Sequence, residues 1–252
     1  MFQSILKVLF IVSVPVFVFF VYFFNNFEFG EQVLQTAPGA SPVKEEVKIK
    51  EKEEIKTSSK VVLPVPYVSE APDGIWSGPW KNACEEAVIA MAEYFYEGQK
   101  EVSIAEDKIF LSKLFEFQDK KYGSNANSDS ERNLEIIHAN TNFEGVLKVN
   151  PTIEDIKNEI LAGRPVLGMH RGFDLHNKNI PFLATGSSYH TTIVIGFDDE
   201  KKHFITNDPG DEIDGKGYEY DYDIFMNSLH DYNFETSLAD GKPVVIFTKI
   251  KD

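Results

Sequence analysis

Tyr189-His190-Thr191-Thr192-Ile193-Val194-Ile195-Gly196-Phe197, then Asp198-Asp199-Glu200-Lys201, then His203-Phe204-Ile205-Thr206-Asn207-Asp208 spells out an antiparallel hairpin. The first run is β-branched through its middle, the second is four charged turn formers, and the third is β-forming again. Counting back from the turn puts His190 and Asp208 at the open end of the two strands, as near neighbours. Working outward, residues 244–250 predict a last strand and 221–229 a short helix before it. Residues 165–169 and 145–149 predict further strands, separated by a helix over 152–162 that has Thr152 as N-cap and Gly163 as its stop. Upstream, apolar spacing predicts one or two helices over 102–117 and another over 133–140, with a polar loop at 122–132 between them. The proline-punctuated run 61–68 suits an edge strand. Helices come first and strands after, the order of an α+β chain.

The chain of 252 residues contains one cysteine, Cys84. From Ala87 onward Ile89, Ala90, Met91, Tyr94 and Phe95 recur mostly at helical spacing, and Pro79 and Asn82 supply a stop and an N-cap just upstream. Cys84 thereby falls in a first helical turn, where unpaired N–H groups and the helix dipole favour an anion and lower a thiol's pKa. A lone cysteine is also commonly a small buried hydrophobe. Glu85 and Glu86 beside it read as first-turn residues favoured by the dipole, although carboxylates next to a thiolate would raise its pKa. The loop before the cysteine carries both tryptophans, Trp76 and Trp80, which could wall a cleft or cap the core.

A thiol nucleophile needs a base, and the base needs a third group to hold its tautomer. Of six histidines, His190 stands at a strand start where a sheet end would present it, and Asp208 is placed to accept its N–H. His170 and His176, with Asp174 between them, have no further ligand at a familiar spacing. The acidic stretch 208–223 makes no complete calcium loop, because Gly210 stands where the first ligand would be needed if Gly215 were the sharp-turn glycine. It reads as a solvated face. No metal or cofactor is expected.

The first sixty residues differ in kind. Residues 8–24 are almost wholly apolar and, with Ile5 and Leu6, long enough to cross a bilayer. A transmembrane helix at about 5–24 within an anchor 1–29 is expected. The run is long for a cleaved signal peptide, and Asn25-Asn26-Phe27-Glu28-Phe29 lacks a small-residue cleavage pattern. Lys7 before the span and Glu28 and Glu31 after it put the N-terminus in the cytoplasm and the body outside, in a single-pass arrangement. Residues 30–60, a Pro/Ala/Ser patch followed by Lys/Glu alternation, read as a flexible linker, leaving 61–252 as the domain. A formal net charge of −15 argues against nucleic acid or an anionic membrane surface as the domain's partner. One cysteine rules out an intrachain disulfide framework.

The run Val65-Pro66-Tyr67-Val68-Ser69-Glu70-Ala71-Pro72, Trp76, the run Ala83-Cys84-Glu85-Glu86-Ala87, the strand from Tyr189 to Asp198 and Asn207-Asp208-Pro209 together resemble the C39-like, papain-type cysteine peptidases. The resemblance covers roughly residues 61–250. It implies a papain-like fold, in which an N-terminal helical part carrying Cys84 packs on an antiparallel sheet carrying His190 and Asp208, a Cys84–His190–Asp208 triad and cleavage of a peptide or related amide bond, with peptide or cell-wall peptide as substrate. A cell-wall amidase or a transglutaminase-like enzyme would share the same residue order. One position departs. The family commonly has a glutamine that donates to the oxyanion where this chain has Glu70, and losing one such donor costs about two to three orders of magnitude in rate. Glu70 protonated in a buried site, the Cys84 N–H with Asn82, or a weakened or inactive domain that binds peptide or cell-wall ligand are the alternatives. The sequence leaves the oligomeric state open.

Overall fold

The computed structural model describes residues 59–180, 189–211 and 213–251. The elements run β1 (Lys60–Val62), α1 (Cys84–Tyr96), α2 (Ile104–Tyr122), α3 (Ser130–Asn140), β2 (Phe143–Val149), α4 (Ile153–Leu161), β3 (Val166–Arg171), β4 (Tyr189–Asp198), β5 (His203–Asn207), β6 (Lys216–Asp221), α5 (Tyr222–Ser228) and β7 (Val244–Ile250). Short 3-10 turns occupy Gly78–Asn82 and Gly172–Leu175. The strands form one sheet in the order β2-β7-β3-β4-β5-β6, with β1 also on β4, and every pairing is antiparallel. The architecture is therefore α+β, as the order of helices and strands predicts.

The sheet is covered on both sides, and strand alternation sorts its residues between two cores. Ile193, Ile195, Ile205 and Ile246 pack with α1, α2 and α3 residues such as Ile89, Leu111 and Ile137. Their strand neighbours Val194, Phe204 and Val245 pack instead with Ile156 and Ile160 of α4 and Phe225 of α5. Burial on both faces explains why β4 reads as a nearly unbroken β-branched run rather than an alternating one. All ten of its positions are buried.

β4 changes neighbour along its length. Its first half pairs with β3, from Tyr189 opposite Arg171 to Val194 opposite Val166, while Gly196–Asp198 pairs with β1 on one side and β5 on the other. The crossing needs glycine at 196, because a Cβ there would stand 2.3 Å from the Val61 carbonyl oxygen. The helix ends follow their cap signals. Ser103 and Glu106 close a reciprocal capping box on α2, Thr152 and Asp155 do the same on α4, and α2 stops at Gly123 with φ 77°.

Several expectations are corrected. The strand expected over 61–68 is confined to Lys60–Val62; Pro64 and Pro66 lack the N–H a ladder needs, so the rest runs extended, with Val65 and Val68 buried. Asn82 is exposed and ends a 3-10 turn, and the N-cap of α1 is Ala83, with no side-chain hydrogen bond. The polar loop 122–132 is shorter than expected, since Asp129 caps α3 from Ser130. The stretch 208–223 is no solvated face: it contains β6, and Asp208 and Asp211 are buried. Among the described residues no helix is long and apolar enough to cross a membrane; the span expected at about 5–24 and nearly all of the linker lie outside the described residues.

Candidate active site

Cys84 is the first residue of α1 and is 3% exposed. Its thiol donates to Glu85 Oε2 at 2.9 Å and lies 3.9 Å from Thr191 Oγ1 on β4. Burial, then the charges of Glu85 and Glu70, push the thiol well above its ordinary pKa. The helix terminus had predicted the opposite shift. Desolvation outweighs the dipole here, because a thiolate would stand dry among carboxylates.

Those carboxylates are not on a solvated first turn. Glu85 and Glu86 are each 1% exposed. Ser128 N–H donates to Glu85 Oε1 at 2.7 Å, Gln118 Nε2 donates to Glu86 Oε1, and Ser128 Oγ donates to Gln118 Oε1 at 2.9 Å. Burial raises both acids, Glu86 to about 8, where the neighbouring Glu85 charge adds to it.

His190 is fully buried near the start of β4, and Asp208 follows β5 directly. The hairpin register pairs Ile193 with Asn207, which brings the two side chains together: His190 Nε2 donates to Asp208 Oδ1 at 2.7 Å. The carboxylate is itself held. Tyr220 of β6 donates its hydroxyl to Oδ2 at 2.5 Å, and Gly210 N–H donates to Oδ1 at 3.1 Å. Tyr220 Oη in turn accepts from Asn177 Nδ2 at 3.0 Å, and Asn177 Nδ2 also donates to Asp211 Oδ2 at 3.2 Å. Tyr67 Oη donates toward Asp211 O at 2.9 Å and Asp208 O at 3.2 Å. Gly215 closes this loop, since a Cβ there would stand 2.3 Å from both the Asp208 and Asp211 carbonyl oxygens.

Glu70 completes the group. It is 1% exposed and its N–H donates to Pro209 O at 3.1 Å, tying the segment after β1 to the loop after Asp208. A Glu70 carboxylate oxygen, Cys84 Sγ and a His190 ring nitrogen all lie within 4.8 Å of one another. Three separate parts of the chain thus deliver an acid, a thiol and an imidazole to one buried point.

Residues 62–240 match the model of the Peptidase_C39 like family. The chain belongs to the C39-like peptidase family. Membership supports peptidase activity. Among solved structures, the chain is similar to a protein described as a C39-like peptidase from Bacillus anthracis, with 14% identity, a TM-score of 0.48, and coverage of 77% of this chain and 99% of that one. It is also similar to xylellain, a cysteine protease from Xylella fastidiosa, with 17% identity, a TM-score of 0.32, and coverage of 77% and 87%. At those values neither likeness bears on the chemistry. No curated protein matches.

The other candidate residues of this C39-like domain differ from the buried group in exposure and partners. Asn82 is exposed, unlike Glu70, Cys84 and His190. Trp80 packs edge-on to Phe115 of α2 at 5.3 Å and belongs to the core margin rather than an open cleft wall; Trp76 is half-buried. His170 sits opposite His190 across β3 and β4, bonded to Ser228 Oγ at 2.8 Å and Thr192 Oγ1 at 3.0 Å, and burial pushes its pKa well down. His176 is exposed. Sequence reasoning missed Tyr220, Asn177 and Tyr67. The only available signal was Tyr218 and Tyr220 alternating with charged residues, a period-2 pattern hidden inside an acidic run.

Proposed function

We propose that this protein is a membrane-anchored cysteine peptidase whose domain, residues 61–252, works outside the cytoplasm on peptide or cell-wall peptide substrates. It would be tethered by an anchor at 1–29 and a linker at 30–60. The observation that carries the reading is the imidazole held between two groups. His190 is bonded to Asp208 at 2.7 Å through Nε2 and has the Cys84 thiol within 4.8 Å of a ring nitrogen.

In this mechanism His190 Nδ1 takes the Cys84 proton, and Sγ attacks the scissile carbonyl carbon. Asp208 holds the ring and stabilises the imidazolium, which then gives its proton to the leaving amine; water, activated by the same ring, releases the acyl group. The oxyanion can draw on the Cys84 backbone N–H, which has no helical acceptor because Cys84 opens α1. Glu70 contributes a donor only as the protonated acid. The resting thiol points to Glu85 rather than to His190, so substrate must both reach a 3% exposed sulfur and redirect its proton.

That same bond, together with Glu70, favours a second reading: a catalytically weakened or inactive member that binds peptide or cell-wall ligand. Turnover of a broad fluorogenic peptide library separates the two. Hydrolysis by the wild type that vanishes in Cys84→Ala and His190→Ala supports the peptidase. No turnover, with ligand binding that survives Cys84→Ala, supports the binding module. Protease treatment of intact cells tests the placement: a domain that stays protected until the membrane is broken would exclude the extracytoplasmic site.

A further inference from the structure

We propose that Glu70, Cys84 and His190 form a site for one zinc ion, and that the bound ion holds the peptidase off. Each residue offers one ligand atom, and the three atoms lie within 4.8 Å of one another. A tetrahedral zinc with bonds of about 2.0–2.3 Å places its ligands roughly 3.3–3.8 Å apart. The present spacing exceeds that by no more than about 1.5 Å, a distance that side-chain rotation covers.

Donor chemistry points to zinc over the hard cations. A thiolate and an imidazole suit zinc, whereas calcium and magnesium take oxygen. Charge points the same way. Among the ligands, thiolate and carboxylate supply −2 in a site whose three residues are 1%, 3% and 0% exposed, with the Glu85 carboxylate beside the thiol; a glutamine at position 70 would lower the ligand charge to −1. The outer partners are built as well. His190 gives Nε2–H to Asp208 Oδ1 at 2.7 Å, so Nδ1 is the ligating nitrogen, and Tyr220 and Gly210 fix that carboxylate. A carboxylate behind a ligating imidazole orients the ring and raises its basicity. Three protein ligands leave the fourth position to water.

Binding displaces one proton from Cys84 Sγ to solvent and forms the Zn–S bond. Loaded in this way, Cys84 has no free thiolate and His190 no free Nδ1, so neither attack nor proton transfer can proceed. This inhibitory consequence rests on the peptidase reading; the metal site itself does not.

The test uses the full-length protein, purified in detergent and stripped with chelator, then titrated with Co²⁺ and Zn²⁺ without substrate. Expected are one ion per chain, a thiolate-to-cobalt charge-transfer band in the near ultraviolet, its loss on adding Zn²⁺, and a rise in Tm with zinc by mass action. Cys84→Ser should lose the band. Glu70→Gln should weaken zinc binding at least tenfold, because it replaces a charged oxygen ligand with a neutral amide. A wild type without the band, or Glu70→Gln with wild-type affinity, overturns the proposal. Should Glu70→Gln fail to fold, the Cys84→Ser spectrum and the wild-type stoichiometry decide. A protein that binds zinc but hydrolyses nothing after the metal has been stripped by chelator refutes the peptidase reading alone, and one that hydrolyses peptides when stripped but shows no band refutes the metal site alone.

Discussion

Replacing Asp208 by asparagine tests the part of the site that the fold spends most structure on. The carboxylate receives three donors, from His190 at 2.7 Å, Tyr220 at 2.5 Å and Gly210 at 3.1 Å, and is fully buried. Asparagine matches its shape but has one accepting oxygen. If that oxygen faces His190, the amide N–H meets Tyr220 Oη, which already accepts from Asn177, and the Tyr220 proton loses its acceptor. If the amide faces His190, the ring must move its proton to Nδ1 and can no longer take one from Cys84. Either way a charge-assisted bond is lost, about 1.5–3 kcal/mol, which is roughly 10- to 150-fold in kcat/KM. The loss should fall on kcat. Tyr220→Phe keeps the carboxylate and removes one donor, so its loss should be smaller, with the order wild type, Tyr220→Phe, Asp208→Asn. Peptide hydrolysis by folded variants, checked by circular dichroism, measures it. Asp208→Asn within threefold of wild type, or more active than Tyr220→Phe, would refute the reasoning.

Three further outcomes follow from the buried acids and the sheet. Glu86, raised from 4.5 to about 8 by burial, contributes stability that is complete below 4.5 and lost as pH rises through 8. With chelator present, wild-type Tm should fall more steeply across that window than that of Glu86→Gln; at ~1.36 kcal/mol per pH unit the ceiling on the difference is about 5 kcal/mol, and parallel curves would sink the assignment. Glu85→Gln removes the acceptor and nearby charge that hold the Cys84 proton, so iodoacetamide labelling at pH 7 in chelator should speed up about tenfold or more; an unchanged rate would mean Glu85 does not restrain the thiol. Gly196→Ala puts a Cβ 2.3 Å from Val61 O and should cost about 2 kcal/mol or more in denaturant unfolding, with an unaffected midpoint counting against the close approach.

The hairpin and the His190–Asp208 contact were legible because both depend on local counting: a charged turn, two β-forming runs and a register measured back from it. The helix at Cys84 was legible for the same reason. Its environment was not. Whether Glu85 and Glu86 face water is decided by Gln118 at the far end of α2 and by Ser128 before α3, more than thirty residues away, and no local pattern encodes that packing. β6 was missed because its two tyrosines sit among charges that belong to an exposed edge, while the Tyr220 side chain turns inward to Asp208. The overlong strand at 61–68 came from weighing β-branched residues above the two prolines. The Glu70–Cys84–His190 grouping needed the tertiary structure outright, since it joins three segments with no common period.

β4 has consequences for how the molecule breathes. Its pairing with β3 and β1 on one side and β5 on the other, with every position buried, makes its amides candidates for the slowest hydrogen exchange in the domain, opening only with global unfolding. His190 rides on that strand. Any motion that opens or shuts the site short of unfolding must therefore leave the imidazole where it is and move what surrounds it. Control of this chemistry acts on the partners of His190, with the base itself as the fixed point.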